Sequence, residues 1–296
     1  MKGAALAAAV LAAGCARGAP APAESAGAGP TAPSAAAVPV ATASAGFDYD
    51  GALTQGGWIK GTAPGGTVAL TLDGQPVPLD PARRFFVAFD RDAGPGATLA
   101  ARLDNGRVVT RMLAIAPRAW DIEHVSTPMR PAAIPSAEFQ RVRPAELARI
   151  AAARARETGA QGWRQAFVWP ARGRISGKFG AQRVYSDGAG SYHSGLDIAG
   201  GAGTTFVAPA DGVVILAAQA PFTLEGNLVM IDHGAGLNSA FLHASELLVR
   251  EGERVRQGQP LGRIGMTGRA TGPHLHWSLK WRDARLDPLL FVPGAD

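Results

Sequence analysis

The segment Thr271-Gly272-Pro273-His274-Leu275-His276-Trp277-Ser278-Leu279 alternates in character from His274 onward. On a β-strand residues i and i+2 share a face, so His274 and His276 project to one side while Leu275 and Trp277 project to the other. One face of such a strand is suited to a core, and the other brings two imidazoles into one groove. Around this strand, glycines punctuate β-branched and apolar runs at Val207-Ala208, Val213–Ala217, Leu228–Ile231, Leu247–Val249 and Pro260–Ile264. No ten-residue helical period interrupts them, which predicts a compact antiparallel β domain over residues 165–296.

Upstream, residues 46–126 alternate short apolar runs with the turn signals Asp73-Gly74 and Asn105-Gly106, whose positive φ values suit tight hairpins. A small β-sandwich is expected there, acting as a spacer or docking module. Residues 127–164 read as a linker carrying one short helix that begins at Pro144, with Leu147, Ile150 and Ala151 at i, i+3 and i+4. The fold class expected is therefore mainly β.

Residues 16–45 are so rich in Ala, Pro, Gly and Ser that they cannot bury enough apolar surface to fold, and they read as a tether. Residues 1–15 combine Lys2, a short apolar run and Cys15 in the pattern of an export signal. Its run is too short to span a bilayer as a helix. Leu11-Ala12-Ala13-Gly14-Cys15 resembles a bacterial lipobox, which implies cleavage before Cys15 and lipid attachment to it. With Ala16 rather than aspartate next, that resemblance implies a periplasm-facing lipoprotein of the outer membrane.

The net charge is +5, and most of the cations are arginines, the only lysines being Lys2, Lys60, Lys178 and Lys280. A mild, diffuse positive balance suits an anionic envelope surface, and without an arginine block interleaved with aromatics nucleic acid is not expected. The single cysteine, Cys15, excludes a disulfide framework and, by its position, a cysteine nucleophile. A lipoyl-type carrier domain is excluded as well, because no lysine stands between Lys178 and Lys280.

Five of the six histidines fall between His193 and His276. The second element among them is His193-Ser194-Gly195-Leu196-Asp197, where surrounding glycines argue for a loop or bent strand instead of a helix. Two histidines and one carboxylate would hold Zn²⁺ and leave its fourth tetrahedral position to water, the arrangement of a catalytic site. Which of the histidines take the metal is not fixed by spacing.

His193-x-x-x-Asp197 and His274-x-His276 resemble the two metal motifs of the LytM/lysostaphin-type zinc endopeptidases. Arg174-Ile175-Ser176-Gly177-Lys178-Phe179-Gly180, Ala208-Pro209-Ala210-Asp211-Gly212 and Gly226–Gly234 resemble that family's flanking segments. The resemblance implies that His193, Asp197 and His276 hold zinc. It implies that His274 and His243 are catalytic, the first the better candidate for general base and the second for stabilising the oxyanion, with the two roles exchangeable. Phe241 stands where the family has tyrosine, and Phe241 and Asn227 are expected to line the substrate groove, Asn227 equally well serving as a strand-end cap. His233 is expected to be structural. The activity implied is hydrolysis of peptide cross-links in peptidoglycan. The partners implied are its stem peptides, a membrane through lipid on Cys15, and a regulatory cell-wall protein of unspecified identity. The competing reading is a scaffold that has lost catalysis and activates peptidoglycan amidases, and loss of ligands would be its mark.

Overall fold

The computed structural model describes residues 46–127, 136–188 and 190–294. The expected signal, Cys15 and tether lie outside the described residues. Strands β1 (Asp48–Gly51), β2 (Trp58–Thr62), β3 (Thr67–Leu72), β4 (Gln75–Val77), β5 (Arg84–Ala88), β6 (Gly96–Leu103) and β7 (Val108–Ala114) form two sheets, in the orders β1-β2-β5 and β4-β3-β6-β7. Ile59, Leu70, Phe85, Val87, Leu99 and Leu113 are buried among them. Asp73 and Gly74 both adopt left-handed φ, 48° and 80°, as the tight β3–β4 hairpin requires. β8 (Ile122–Val125) follows.

Helix α1 (Ala137–Arg154) begins seven residues before Pro144, earlier than that proline suggests. Ser136 caps it, its hydroxyl accepting the Phe139 N–H at 3.1 Å, and Glu138 in the first turn complements the helix dipole. These start signals outweigh the preference of proline for a first turn, and Pro144 sits inside the helix.

The C-terminal half contributes β9 (Arg174–Gly177), β10 (Gln182–Tyr185), β11 (Leu196–Ala199), β12 (Thr205–Val207), β13 (Gly212–Phe222), β14 (Gly226–Gly234), β15 (Leu237–Ala244), β16 (Glu246–Leu247), β17 (Arg254–Val255), β18 (Pro260–Arg263), β19 (Leu275–Trp281) and β20 (Ala284–Leu286). The main sheet runs β17-β13-β14-β15-β19-β11-β9, antiparallel at each of these pairings, and β20 pairs with the end of β19. A smaller sheet, β12-β18-β16, covers one face. Between the two sheets Leu196, Phe206, Val229, Phe241, Leu261, Leu275 and Trp277 are wholly buried. Each such side chain stabilises the fold by roughly 1.5–3 kcal/mol.

The opposite face of the main sheet carries Asp197, His276, Ser278, Ala240, Leu242 and Met230, since their neighbours in sequence point into the core. Helix α1 lies on this face, with Ala153 and Ile150 packed against Ile215, Leu216, Met230 and Ala240. The two halves share one apolar core through Trp58, Phe86, Phe167, Trp281 and Phe291. They are also joined in hydrogen bonding, since β8 pairs in parallel with β10. Arg91 donates from Nη2 to the Gly180 carbonyl at 3.0 Å, and the Trp120 ring lies over Gly180 so closely that a Cβ would meet it at 2.1 Å. The N-terminal sheets thus brace the segment that leads to His193.

Candidate metal centre

Asp197 on β11 stands directly opposite His276 on β19, and His276 stands opposite Leu242 on β15. This register places the carboxylate and the imidazole abreast on the exposed face. His193 comes from the loop before β11. Its main chain is held at both ends, by His193 N–H to the Ala181 carbonyl and Gly180 N–H to the His193 carbonyl, each at 2.8 Å. Its ring Nδ1 donates to the Lys178 carbonyl at 3.0 Å, which turns Nε2 inward.

Three donor atoms converge. Asp197 Oδ1 is 2.8 Å from His276 Nδ1 and 3.1 Å from His193 Nε2, and the two nitrogens are 3.1 Å apart. These three residues form a group able to hold a metal ion. Burial opposes ionisation of Asp197, but hydrogen bonds from His193 and His276 hold its carboxyl well below the usual carboxylate range. Burial pulls His193 down, and the Asp197 carboxylate outweighs it, so the imidazole is raised overall. Burial dominates at His276 and pushes it toward the neutral form in which imidazole binds metals.

Two glycines give these side chains room. A Cβ on Gly195 would lie 2.5 Å from His276 Nε2, and one on Gly177, paired with Asp197 across β9 and β11, would lie 2.5 Å from Asp197 Oδ2. A side chain at either position would displace His276 or Asp197.

His274 and His243 flank the centre, their rings 4.9 Å apart. His274 Nδ1 donates to the Gly272 carbonyl at 2.8 Å, which leaves Nε2 3.6 Å from Asp197 Oδ1. His243 sits in a β-bulge: Asn227 pairs with Ala244 and Val229 with Phe241, so Leu242 and His243 oppose Leu228 alone. Its φ of 66° is unusual for a non-glycine residue. The strained turn is clamped by His243 N–H to the Glu225 carbonyl and by Nδ1 to the Thr267 carbonyl, each at 2.8 Å. Thr267 Oγ1 also donates to the Ala244 carbonyl and accepts the Asn227 N–H. Burial lowers the His243 pKa.

His193, Asp197, His276, His274 and His243 therefore come together. Phe241 does not join them: it is fully buried and stacked on Phe206 at 5.5 Å, so it cannot line the groove. Asn227 is buried and donates from Nδ2 to the Ala244 carbonyl at 2.9 Å, the strand-end role that was the alternative for it. His233 is buried between the Asp211 carbonyl and the Ser239 hydroxyl. Thr267, Gly177 and Gly195 were not singled out in the sequence as part of the site. Gly177 and Gly195 stand beside ligand positions within recognisable motifs, which is the signal they offered, whereas Thr267 offered none.

Residues 191–288 match the profile of peptidase family M23. A crystal structure of a protein assigned as peptidase M23 from Pseudomonas aeruginosa has a TM-score of 0.61 and 30% identity, covering 80% of this chain and 94% of that one. The chain belongs to the M23 peptidase family. Among curated relatives, peptidoglycan DD-endopeptidase ShyA of Vibrio cholerae is 40% identical over 107 residues, which is 36% of this chain and 24% of that protein. Murein hydrolase activator NlpD of Escherichia coli is 35% identical over 125 residues, 42% of this chain and 31% of that one. The chain thus spans about a quarter to a third of the length of these relatives, one named as an enzyme and the other as an activator.

Proposed function

We propose that this chain is a zinc-dependent endopeptidase that hydrolyses peptide cross-links in peptidoglycan. The observation that carries the reading is the convergence of His193 Nε2, His276 Nδ1 and Asp197 Oδ1, with two further imidazoles beside them. Edges of 2.8–3.1 Å between these atoms are near the roughly 3.3 Å edge of a tetrahedron with zinc–ligand distances of about 2.0 Å. Nitrogen and carboxylate donors suit zinc, and a set of three leaves a position open. Bound there, zinc supplies Lewis acidity, polarising a peptide carbonyl and lowering the pKa of water to about 7.

The chain's own groups manage the proton. With Nδ1–H tied to the Gly272 carbonyl, His274 presents Nε2 as a base for the attacking water. His243 is tied at Nδ1–H to the Thr267 carbonyl, so its Nε2 hydrogen-bonds the developing oxyanion or protonates the leaving amine only after taking up a proton to become imidazolium. The two imidazoles can exchange these roles.

An activator scaffold is the alternative that the likeness to NlpD raises. The complete set of five side chains favours the peptidase. Digesting cross-linked peptidoglycan with the zinc-loaded chain tests the choice: new amino termini support hydrolysis, and none appearing while an added amidase is stimulated supports the scaffold. Export and lipid attachment at Cys15, expected from the sequence, would put this activity on the periplasmic side of the envelope.

A further inference from the structure

On the face of β19 that carries His276, the strand runs past Ser278 to Lys280. Four residues at about 3.3 Å each separate the His276 and Lys280 Cα atoms by about 13 Å. Lys280 pairs with Arg285 on β20 and with Asn238 on β15. Arg154, in the last turn of α1, approaches from the helix side, so that its charge acts on Lys280 and that of Arg285 acts on both. Three cations therefore meet at the far end of the face that begins at the metal centre.

Their compensation is incomplete. Arg285 donates from Nη1 to the Tyr192 hydroxyl at 2.8 Å and from its main-chain N–H to Asp90, and the Asp90 and Asp92 carboxylates partly offset its charge, Asp90 that of Lys280 as well. Lys280 Nζ is 4.0 Å from Asp283, whose carboxylate is fully in solvent and contributes little. Among the described residues no carboxylate acts on Arg154. Its Nη1 is shut off from water without a hydrogen-bond partner, although the residue as a whole keeps partial exposure. Burial, with the Arg285 charge added, pulls its guanidinium down to about 10. An uncompensated guanidinium in such a place is costly unless an anion from outside completes it.

We propose that Arg154, Lys280 and Arg285 form a subsite for the free carboxylate of a peptide lying along β19 from the metal centre. The proposal rests on the reading of that centre as a peptidase site. An extended peptide covers about 13 Å in roughly four residues. That is the scale of a stem peptide, whose unlinked end is a carboxylate. Arginine and lysine together suit it, the one offering a planar fork and the other a mobile point charge. The subsite sets register: with the carboxylate seated, the bond about four residues away lies over the metal centre.

The test uses the zinc-loaded full chain in detergent, as wild type, Arg154→Gln and Lys280→Gln. Each is titrated calorimetrically with a synthetic stem tetrapeptide bearing a free C-terminal carboxylate and with its C-terminal amide. Hydrolysis of cross-linked peptidoglycan is followed in parallel. The wild type is expected to bind the acid about tenfold or more tightly than the amide, on the scale of one charge-assisted hydrogen bond. Each variant should lose that preference, with zinc content and affinity for the amide unchanged. The two substitutions lie on different elements, so a folding defect in one leaves the other informative. Equal affinity of the wild type for acid and amide, no binding of either, or a preference surviving in a folded variant overturns the subsite. Binding of the acid without hydrolysis refutes the peptidase reading and leaves the subsite standing, whereas hydrolysis without acid preference does the reverse.

Discussion

Nε2 of His193 and Nδ1 of His276 stand 3.1 Å apart, and Asp197 Oδ1 lies within 3.1 Å of both. Because His193 donates from Nδ1 to the Lys178 carbonyl, a neutral ring offers a lone pair at Nε2. Donor atoms gathered at this distance become favourable neighbours around a shared cation. Asp197→Ala is therefore expected to remove most of the zinc, since two imidazoles make a poor tetrahedral set. Elemental analysis that finds one zinc per chain in this variant would show the ligands to be misassigned.

The second prediction concerns Gly195, where a Cβ would come within 2.5 Å of His276 Nε2. Gly195→Ala should displace that ring and weaken zinc binding about ten- to a hundredfold, the scale seen when support of a metal ligand is lost. Far-ultraviolet circular dichroism should be unchanged. Competition with a chromogenic chelator reads the affinity, and a wild-type value would mean that the ring position does not depend on this glycine.

Thr267 holds the bulge that aims His243. Thr267→Val removes the hydroxyl that bonds Ala244 and Asn227, and kcat is expected to fall about ten- to a hundredfold through misplacement of the imidazole. Zinc content should not change, and Thr267→Ser should restore most of the rate. A Thr267→Val enzyme of full activity would dissociate His243 from this clamp.

Stability should depend on pH through His233. Burial pulls its folded pKa to about 4 against the ordinary 6.5, so between those values the unfolded chain binds more protons than the native one. The contribution is fully present above pH 6.5 and is lost as pH falls toward 4. The difference approaches about 3 kcal/mol at 1.36 kcal/mol per unit. Urea unfolding of the chelated chain at pH 7 and pH 4.5 measures it. His233→Gln should flatten this dependence, and an equally steep loss in that variant would assign it to other groups.

Much of this was legible in the sequence. Alternation in His274-Leu275-His276-Trp277 fixed a strand with imidazoles on one face and a core on the other, because side-chain direction follows backbone period. The expectation that Phe241 lines the groove rested on the family resemblance, and the period would have given no warning there. Strict alternation puts residues 241 and 243 on one face, but the bulge and the left-handed φ of His243 break the period, so Phe241 enters the core while His243 reaches the groove. The start of α1 was misplaced because a proline compatible with a first turn also fits inside a helix that is well capped at Ser136. That His276 and not His274 faces Asp197 depends on the pairing register of β11 with β19, a tertiary detail that spacing does not encode. The packing of the N-terminal sheets and β8 on residues 180–185 through Arg91, Trp120 and the β8–β10 pairing carried no sequence signal either.

The central claim is that zinc binding and proton transfer belong to different histidines of one hydrolytic site. It is tested most directly by measuring zinc content and cross-link hydrolysis side by side in the wild type, His274→Ala, His243→Ala and His276→Ala, with a chelated wild type as control. The account predicts that His274→Ala and His243→Ala keep zinc while the rate falls about 10²- to 10⁴-fold, and that His276→Ala loses metal and activity together. Full hydrolysis by His274→Ala, zinc lost there but kept in His276→Ala, or no turnover by the zinc-loaded wild type would contradict it.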